Sequence, residues 1–137
     1  MIETSLHLEN EEQYQRLLRD FDRTLDRYLR KAGKQSAYVI QAKAQRYPPP
    51  PPDSSYRRTG TLGRRWAVTG PTATVSEVKT IVENPTSYGP FVMGETEQAA
   101  VHRGRWPTTQ RLIEEAEAQV VGLHQAAIDD AIKEVSR

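Results

Sequence analysis

YQRLLRDFDRTLDRYLRKA, from Tyr14 to Ala32, is the stretch of sequence that decides the fold. Its apolar residues recur at steps of three and four, at Leu17, Leu18, Phe21, Leu25, Leu29 and Ala32. This spacing gathers them on one side of a helix, with arginines and aspartates on the other side. Asn10 precedes two glutamates in the position of a helix N-cap. The pattern predicts one long bent helix, or two helices end to end, over residues 11–46, with the interruption near Gly33.

The helix must stop before a run of prolines. Pro48, Pro49, Pro50, Pro51 and Pro52 can enter neither a helix nor a central strand, because proline fixes φ and has no backbone N–H. As a polyproline II rod they span roughly 15 Å. Four arginines follow around a glycine-containing turn, namely Arg57, Arg58, Arg64 and Arg65. We therefore expect residues 47–63 to form an extended arm that projects toward a partner surface or toward DNA.

Beyond this arm the pattern changes to strands and then back to a helix. Residues 64–69 and 73–83 alternate or are rich in valine and threonine, which predicts two antiparallel strands joined by a turn at residues 70–72. Another short strand is expected around residues 91–93. The last helix is predicted over residues 109–135, with one narrow apolar stripe formed by Leu112, Ala116, Val120, Leu123, Ala127, Ala131 and Val135. Residues 1–9 suit a short strand or a flexible arm. The fold class is α+β, and residues 1–137 form a single domain.

Composition limits the classes of protein that this chain can belong to. The 137 residues are 36% hydrophobic and contain no cysteine, which excludes disulfides and thiolate metal sites. No apolar run is long enough to span a membrane, and the N-terminus lacks a signal-peptide pattern. We expect a soluble protein that is made in the cytoplasm. The low apolar content suggests a thin or extended fold, or one that a partner completes.

The net charge of +1 hides an uneven distribution of charge. Residues 31–66 carry eight Lys and Arg but one acid, Asp53, whereas residues 109–137 carry six acids and three bases. Such polarity allows a basic face for nucleic acid or head-to-tail stacking of copies. A solvated loop with arginines is the simpler interpretation.

The titratable residues do not form a recognisable catalytic pattern. His7, His102 and His124 lie in three different elements without the spacing of metal ligands. Glu95, Glu97 and His102 could gather, but carboxylates in loops are usually solvated. We therefore predict no catalytic residue, no cofactor and no metal. The segment His102-Arg103-Gly104-Arg105-Trp106 instead combines cations with an aromatic, as protein–protein contacts do. Trp106 equally suits a hydrophobic lid on the last helix.

Several segments recur in an order that resembles a known family. They are Tyr56 to Trp66 with its Thr-Gly-x-Leu turn, Asn84 to Gly94 with its Tyr-Gly-Pro-Phe-Val run, and His102 to Trp106 before the last helix. Together they resemble the small neck or tail-completion proteins of long-tailed bacteriophages, also called minor tail or virion-morphogenesis proteins. The chain departs at Arg105-Trp106-Pro107, where many relatives have Arg-Pro-Phe.

The resemblance implies an α+β subunit of a homo-oligomeric ring, six-fold or twelve-fold, between head and tail of the virion. It implies no catalysis, no cofactor and no contact with a membrane. The implied partners are the neighbouring neck and tail proteins, and DNA that passes through the channel is contacted non-specifically. The candidate inter-subunit contacts are Tyr88, Phe91, His102, Arg103, Arg105 and Trp106. A different class remains open, a stand-alone nucleic-acid-binding protein that uses the basic segment 31–66.

Overall fold

The computed structural model describes residues 10–55, 58–74 and 77–137, apart from the side chain of Tyr14. The elements follow in the order α1 (Glu11–Ala44), α2 (Thr61–Arg64), β1 (Ala67–Ala73), β2 (Val78–Glu83), α3 (Gly89–Met93) and α4 (Thr109–Val135). A 3-10 turn at Ala100–His102 lies between α3 and α4. This order confirms the predicted α+β class. The strand or arm predicted over residues 1–9 lies outside the described residues.

Helix α1 is one continuous element, so the two-helix form of the prediction is wrong. Gly33 nevertheless has a packing role, because a Cβ at this position would lie 2.9 Å from the Thr80 Oγ1 of β2. A glycine inside a helix costs about 1 kcal/mol relative to alanine. Here it lets the sheet approach the helix closely. At the N-terminus Asn10 takes the predicted capping position, but its side chain makes no capping hydrogen bond.

The sheet is an antiparallel pair that packs against α1. The register places Ala67 opposite Glu83 and Ala73 opposite Val78. The pairing is irregular around Gly70, whose φ of 99° is open to glycine and strained for other residues. The glycine and proline at 70–71 therefore mark a bulge inside β1 and not the predicted turn.

The predicted strand boundaries were consequently wrong by several residues. The turn follows Ala73, where the Thr74 amide donates to the Glu77 carbonyl at 2.8 Å. Arg64 belongs to helix α2 and not to the first strand. Residues 91–93 are helical and form part of α3, because Pro90 occupies the first turn, where its fixed φ favours a helix.

Helix α4, predicted over residues 109–135, spans those residues and packs antiparallel to the second half of α1. Arg27 reaches Glu134 near the end of α4, while Ala44 shares a buried cluster with Leu112 near its start. The buried residues along the helix pair are small, namely Ala32, Ala37, Ala116, Ala127 and Ala131. The two helices can therefore lie close together.

The first half of α1 extends past the end of α4. Roughly 16 residues, about 24 Å at 1.5 Å per residue, precede the Arg27 contact. Leu17 and Leu18 on this projecting part are 48% and 62% exposed. Farther along the same apolar stripe Leu25 and Leu29 are half-buried, and Ala32 is buried. Helix periodicity alone does not show where the partner helix ends.

The larger buried side chains collect where α4 begins. Leu62 from α2, Met93 from α3 and Leu112 from α4 pack with Ala44 of α1. Trp66, Val92 and Trp106 cover this cluster as partly buried residues. The short elements α2 and α3 thus supply the core and hold the loops around it.

At the opposite end, Glu134 accepts hydrogen bonds from Tyr28 Oη at 2.7 Å and from Arg27 Nη2. The bond from Tyr28, with that from Arg27, lowers the pKa of Glu134 below its ordinary 4.5. The bond to Glu134 raises the pKa of Tyr28 above its ordinary 10.0. Glu134 therefore stabilises the fold above its unfolded pKa and loses this effect as pH falls through its folded pKa. Tyr28 stabilises the fold below its unfolded pKa and loses this effect as pH rises through its folded pKa.

We expect Glu134→Gln to bring the pKa of Tyr28 down toward its ordinary value, because the charged acceptor of its proton is lost. NMR titration of the tyrosine rings measures this change. Glu117→Gln, on the same helix, is the matched control and should leave the titration of Tyr28 unchanged. An unaltered Tyr28 titration in Glu134→Gln would show that the two side chains do not interact in solution.

Candidate assembly interface

A groove of about 610 Å³ opens between the proline run and the segment 88–106. Its walls come from four separate parts of the chain, and the side chains that dominate it are Tyr47, Arg58, Tyr88, Phe91, Val101, His102, Arg105 and Trp106. Phe91 is 55% exposed and Val101 is 67% exposed, so the groove offers apolar surface to solvent. Proline, aromatic and arginine side chains in one groove suit the binding of another polypeptide.

The start of the proline run lies against the body of the protein. Arg58 Nη1 donates to the Pro48 carbonyl, and Arg105 Nη2 donates to the Pro49 carbonyl at 3.1 Å. A polyproline II segment makes no internal hydrogen bonds, so the two guanidinium groups satisfy carbonyl acceptors that would otherwise need water. Residues 49–55 remain exposed.

The extended segment is shorter than the predicted 47–63. Thr61–Arg64 forms α2, in which Leu62 and Gly63 are buried. Gln45 Nε2 of α1 donates to the Gly63 carbonyl at 3.2 Å, and Gln41 Nε2 donates to the Trp66 carbonyl at 2.8 Å. These glutamine contacts fix α2 on α1, so residues 61–63 do not belong to an extended arm.

The predicted arginines have different surroundings. The Arg58 guanidinium lies 5.1 Å from the centre of the Trp106 ring, a cation–π distance, and the side chain is half-buried. Arg64 and Arg65 are exposed. Within the described ranges none of the three forms an ion pair with a carboxylate. Arg57 lies outside the described residues.

Aromatic contacts fix the floor of the groove. The rings of Tyr47 and Trp106 are 5.4 Å apart, and His102 meets Trp106 edge-on at 6.2 Å. Trp106 also covers the buried cluster at the start of α4, as the predicted hydrophobic lid would, and its role in a protein–protein contact stays a prediction. Arg103 is exposed and does not line the groove.

Gln98, for which the sequence predicted no role, joins the two sides of this region. It is 8% exposed, and its Nε2 donates to the carbonyls of Val92 at 2.8 Å and Trp106 at 3.0 Å. A buried amide with two carbonyl acceptors fixes the position of both chain segments. A polar residue in a turn gives no sequence signal of this kind.

The two most distinctive sequence segments meet in the structure. Asn84 Nδ2 donates to the Leu62 carbonyl at 2.5 Å, while its Oδ1 accepts from the Thr86 amide and hydroxyl. A Cβ at Gly89 would lie 3.1 Å from the Thr86 Oγ1. The Thr-Gly-x-Leu turn and the segment after Asn84 therefore form one joint, which positions α3 and its exposed Phe91.

A basic depression of about 510 Å³ adjoins the groove. Lys43, Arg46, Arg105 and Arg111 contribute cations to its lining, and Glu115 is the acid that also lines it. Arg111 Nε donates to Glu115 at 3.0 Å, so this carboxylate is already paired. Arg105 belongs to both the depression and the groove, which gives this side of the molecule a positive surface.

A second apolar surface lies on the outward side of α4. We call it the outer stripe, and it consists of Ile113, Val121, Ile128 and Ile132, all exposed. The prediction of one narrow stripe on this helix is therefore wrong. The apolar residues outside the predicted stripe, which begins at Leu112, recur at helical spacing themselves. The helix therefore carries two sets of apolar residues.

The residues considered for catalysis or metal binding are not brought together. Glu95 and Glu97 are exposed in the turn after α3, whereas His102 packs against Trp106. Across residues 10–55, 58–74 and 77–137, no group of three His, Asp or Glu side chains could hold a metal ion. None of the helices in that part of the chain is long and apolar enough to cross a membrane.

Comparison with known proteins gave no match: no family model fits the chain, and no curated protein or solved structure resembles it significantly.

Proposed function

We propose that this protein is a structural subunit of a bacteriophage neck or tail, which assembles with copies of itself in a ring and joins the DNA-filled head to the tail. The observation that carries the proposal is the distribution of apolar surface. Among the described residues, twelve large apolar side chains are exposed, whereas the large ones in the buried set are Leu62, Met93 and Leu112. Eight of the twelve fall in two groups, four in the groove and four in the outer stripe, and grouped exposed apolar surface marks sites of interaction. Such a subunit gains burial when copies or partners cover it.

The proposal that the protein belongs to a phage virion rests on the family resemblance of its sequence segments. The contacts that these segments make in the structure support it. The segments that resemble neck and tail-completion proteins are joined through Asn84 and Leu62, and they present Tyr88 and Phe91 at the groove. Within the virion, the proposed partners are copies of this chain in a six-fold or twelve-fold ring and the adjacent neck and tail proteins. DNA passing through the channel would meet exposed cations such as Arg64 and Arg65.

Removal of the coding sequence from the genome that carries it tests this function. We expect electron micrographs of the lysate to show DNA-filled heads and separate tails, because the joining subunit is missing. Expression of the intact chain in the same cells should restore joined particles. Joined, infectious particles in its absence would overturn the proposal.

A second test concerns the proline run. We expect replacement of Pro48 to Pro52 by Gly and Ser to leave the thermal unfolding of the isolated chain nearly unchanged, because residues 49–55 are exposed and the carbonyls that bond Arg58 and Arg105 are retained. Joining of heads to tails should fall, since a flexible segment loses more entropy on docking than a preformed rod. The measurement is the ratio of joined particles to free heads. A normal ratio would make the run a simple linker.

The basic depression favours one other function, a stand-alone nucleic-acid-binding protein that uses the cations of residues 31–66 and their neighbours Arg105 and Arg111. Salt separates the two functions. Binding through phosphates weakens steeply as salt rises, with a slope near −0.9 per phosphate neutralised. Tight, strongly salt-dependent binding of free duplex, together with no association between copies, would favour this alternative.

A further inference from the structure

Helix α4 has a wider apolar surface than α1 covers. At about 100° per residue, the outer stripe lies next to the buried positions Leu112, Ala116, Ala127 and Ala131, and the two sets form one continuous arc. Ala116 and Ala131 are fully buried against α1, while Val121 in the outer stripe is 60% exposed. A helix with an apolar arc this wide normally packs on two neighbours. Within the described part of the chain α1 is the one element that packs along the length of α4, and α2 and α3 contact it near its start, at Leu112.

The charge around the outer stripe limits what the second neighbour can be. Glu117 lies on the stripe, one turn from both Ile113 and Val121, and Asp129 follows Ile128. Arg111 already pairs with Glu115, and Lys133 follows Ile132 at the far end of the stripe. If two copies met symmetrically through this stripe, the acidic side chains of one copy would face those of the other and repel them. A basic apolar surface fits it better.

The groove has the complementary properties. It is lined by Phe91, Tyr88 and Val101, with Arg58, Arg105 and His102 as its titratable bases and no acid among the described residues that line it. The adjoining depression adds Lys43, Arg46 and Arg111 on the same side. The groove and the outer stripe are thus both apolar, and their charges are complementary, because the groove is basic and the stripe is acidic.

We propose that the outer stripe of α4 of one copy docks in the groove of the next copy. The inference rests on the proposed assembly function and assigns its contact. The two surfaces are different patches of one chain, so each copy uses its groove for one neighbour and its stripe for another. Such a head-to-tail contact gives a closed ring or an open filament.

Disulfide trapping tests the contact directly, because the chain has no cysteine and each disulfide is therefore designed. One copy carries Val101→Cys at the groove, and another carries Val121→Cys on the stripe. We expect the mixed 101–121 dimer to form at least about fivefold faster than the mixed dimer with Ala126→Cys, because docking raises the effective thiol concentration. Ala126 is exposed on α4, away from the stripe, and is the matched control.

Charge reversal supplies the second measurement. Glu117→Lys in the stripe copy should slow the 101–121 reaction several-fold, whereas Glu12→Lys at the far end of α1 should not. A mixed dimer that forms no faster than the Ala126→Cys control overturns the proposal. Faster formation of the Val121→Cys homodimer overturns it in favour of stripe-to-stripe pairing.

The trapping result and the particle result are distinguishable. Suppose that the 101–121 disulfide does not form faster than its control, but that heads and tails stay separate when the coding sequence is deleted. This contact is then rejected, and the neck function is retained. If instead the disulfide forms rapidly, but joined particles appear when the coding sequence is deleted, the contact is retained and the neck function is rejected.

Discussion

Replacement of Leu112 by alanine should lower the free energy of unfolding by about 3 kcal/mol, which corresponds to a fall of roughly 10 °C in Tm. Leu112 is 3% exposed and packs with Leu62 and Met93 where α1, α2, α3 and α4 meet. Its loss leaves a cavity that the short elements α2 and α3 cannot easily fill. Denaturant unfolding followed by circular dichroism measures the change.

The adjacent residue is the matched control for this substitution. Ile113 is 53% exposed on the outer stripe. Ile113→Ala should cost less than about 1 kcal/mol in the isolated chain, because little burial is lost. Equal destabilisation by both substitutions would mean that the outer stripe is covered within one copy. That outcome would also remove the basis for docking between copies.

Gly63→Ala should be the second severe change, with a loss of about 2–3 kcal/mol. A Cβ at this buried position would overlap the hydroxyl of Tyr47, whose ring packs on Trp106. The Tyr47 ring must then leave its position beside Trp106, which deforms the floor of the groove. Thermal unfolding gives the stability, and tryptophan fluorescence in a Trp66→Phe background reports on Trp106.

Two comparisons isolate the cause of this loss. Gly122→Ala, in α4, has open space around the new Cβ and should stabilise the chain by up to about 1 kcal/mol. In a Tyr47→Ala background, Gly63→Ala should cost much less, because the overlapping ring is absent. An equal cost of Gly63→Ala in both backgrounds would assign the loss to the backbone of α2.

Helix periodicity was sufficient to predict the two long elements of the fold. The predicted range of the last helix, 109–135, agrees with Thr109–Val135, and Thr108 caps it by accepting a hydrogen bond from the Arg111 amide. The helices are long and their apolar steps regular, so local pattern and tertiary packing agree. The short elements α2 and α3 were not predicted, because one turn of helix carries almost no periodic signal.

The groove could be predicted only in part. The family resemblance indicated Tyr88 and Phe91, composition indicated His102, Arg105 and Trp106, and the structure places all five around one groove. That these five lie beside Tyr47 and Arg58 depends on the path of the proline run across the body, which local sequence does not determine. The outer stripe was missed for another reason. The steps that begin at Leu112 describe only the side of α4 that faces α1, and the apolar residues of the outer stripe follow a second set of steps.

The projecting first half of α1 has a consequence for the local stability of the chain. A helical segment of roughly 16 residues is marginal in water without tertiary contacts, since propagation barely outweighs nucleation. The half that lies along α4 shares the cooperative unfolding of the whole domain. Amide protons before Arg27 should therefore exchange with solvent through local fraying, and those around Ala37 through global opening. One uninterrupted helix thus contains two cooperative units, and its free end is the part that gains most order when another surface covers Leu17 and Leu18.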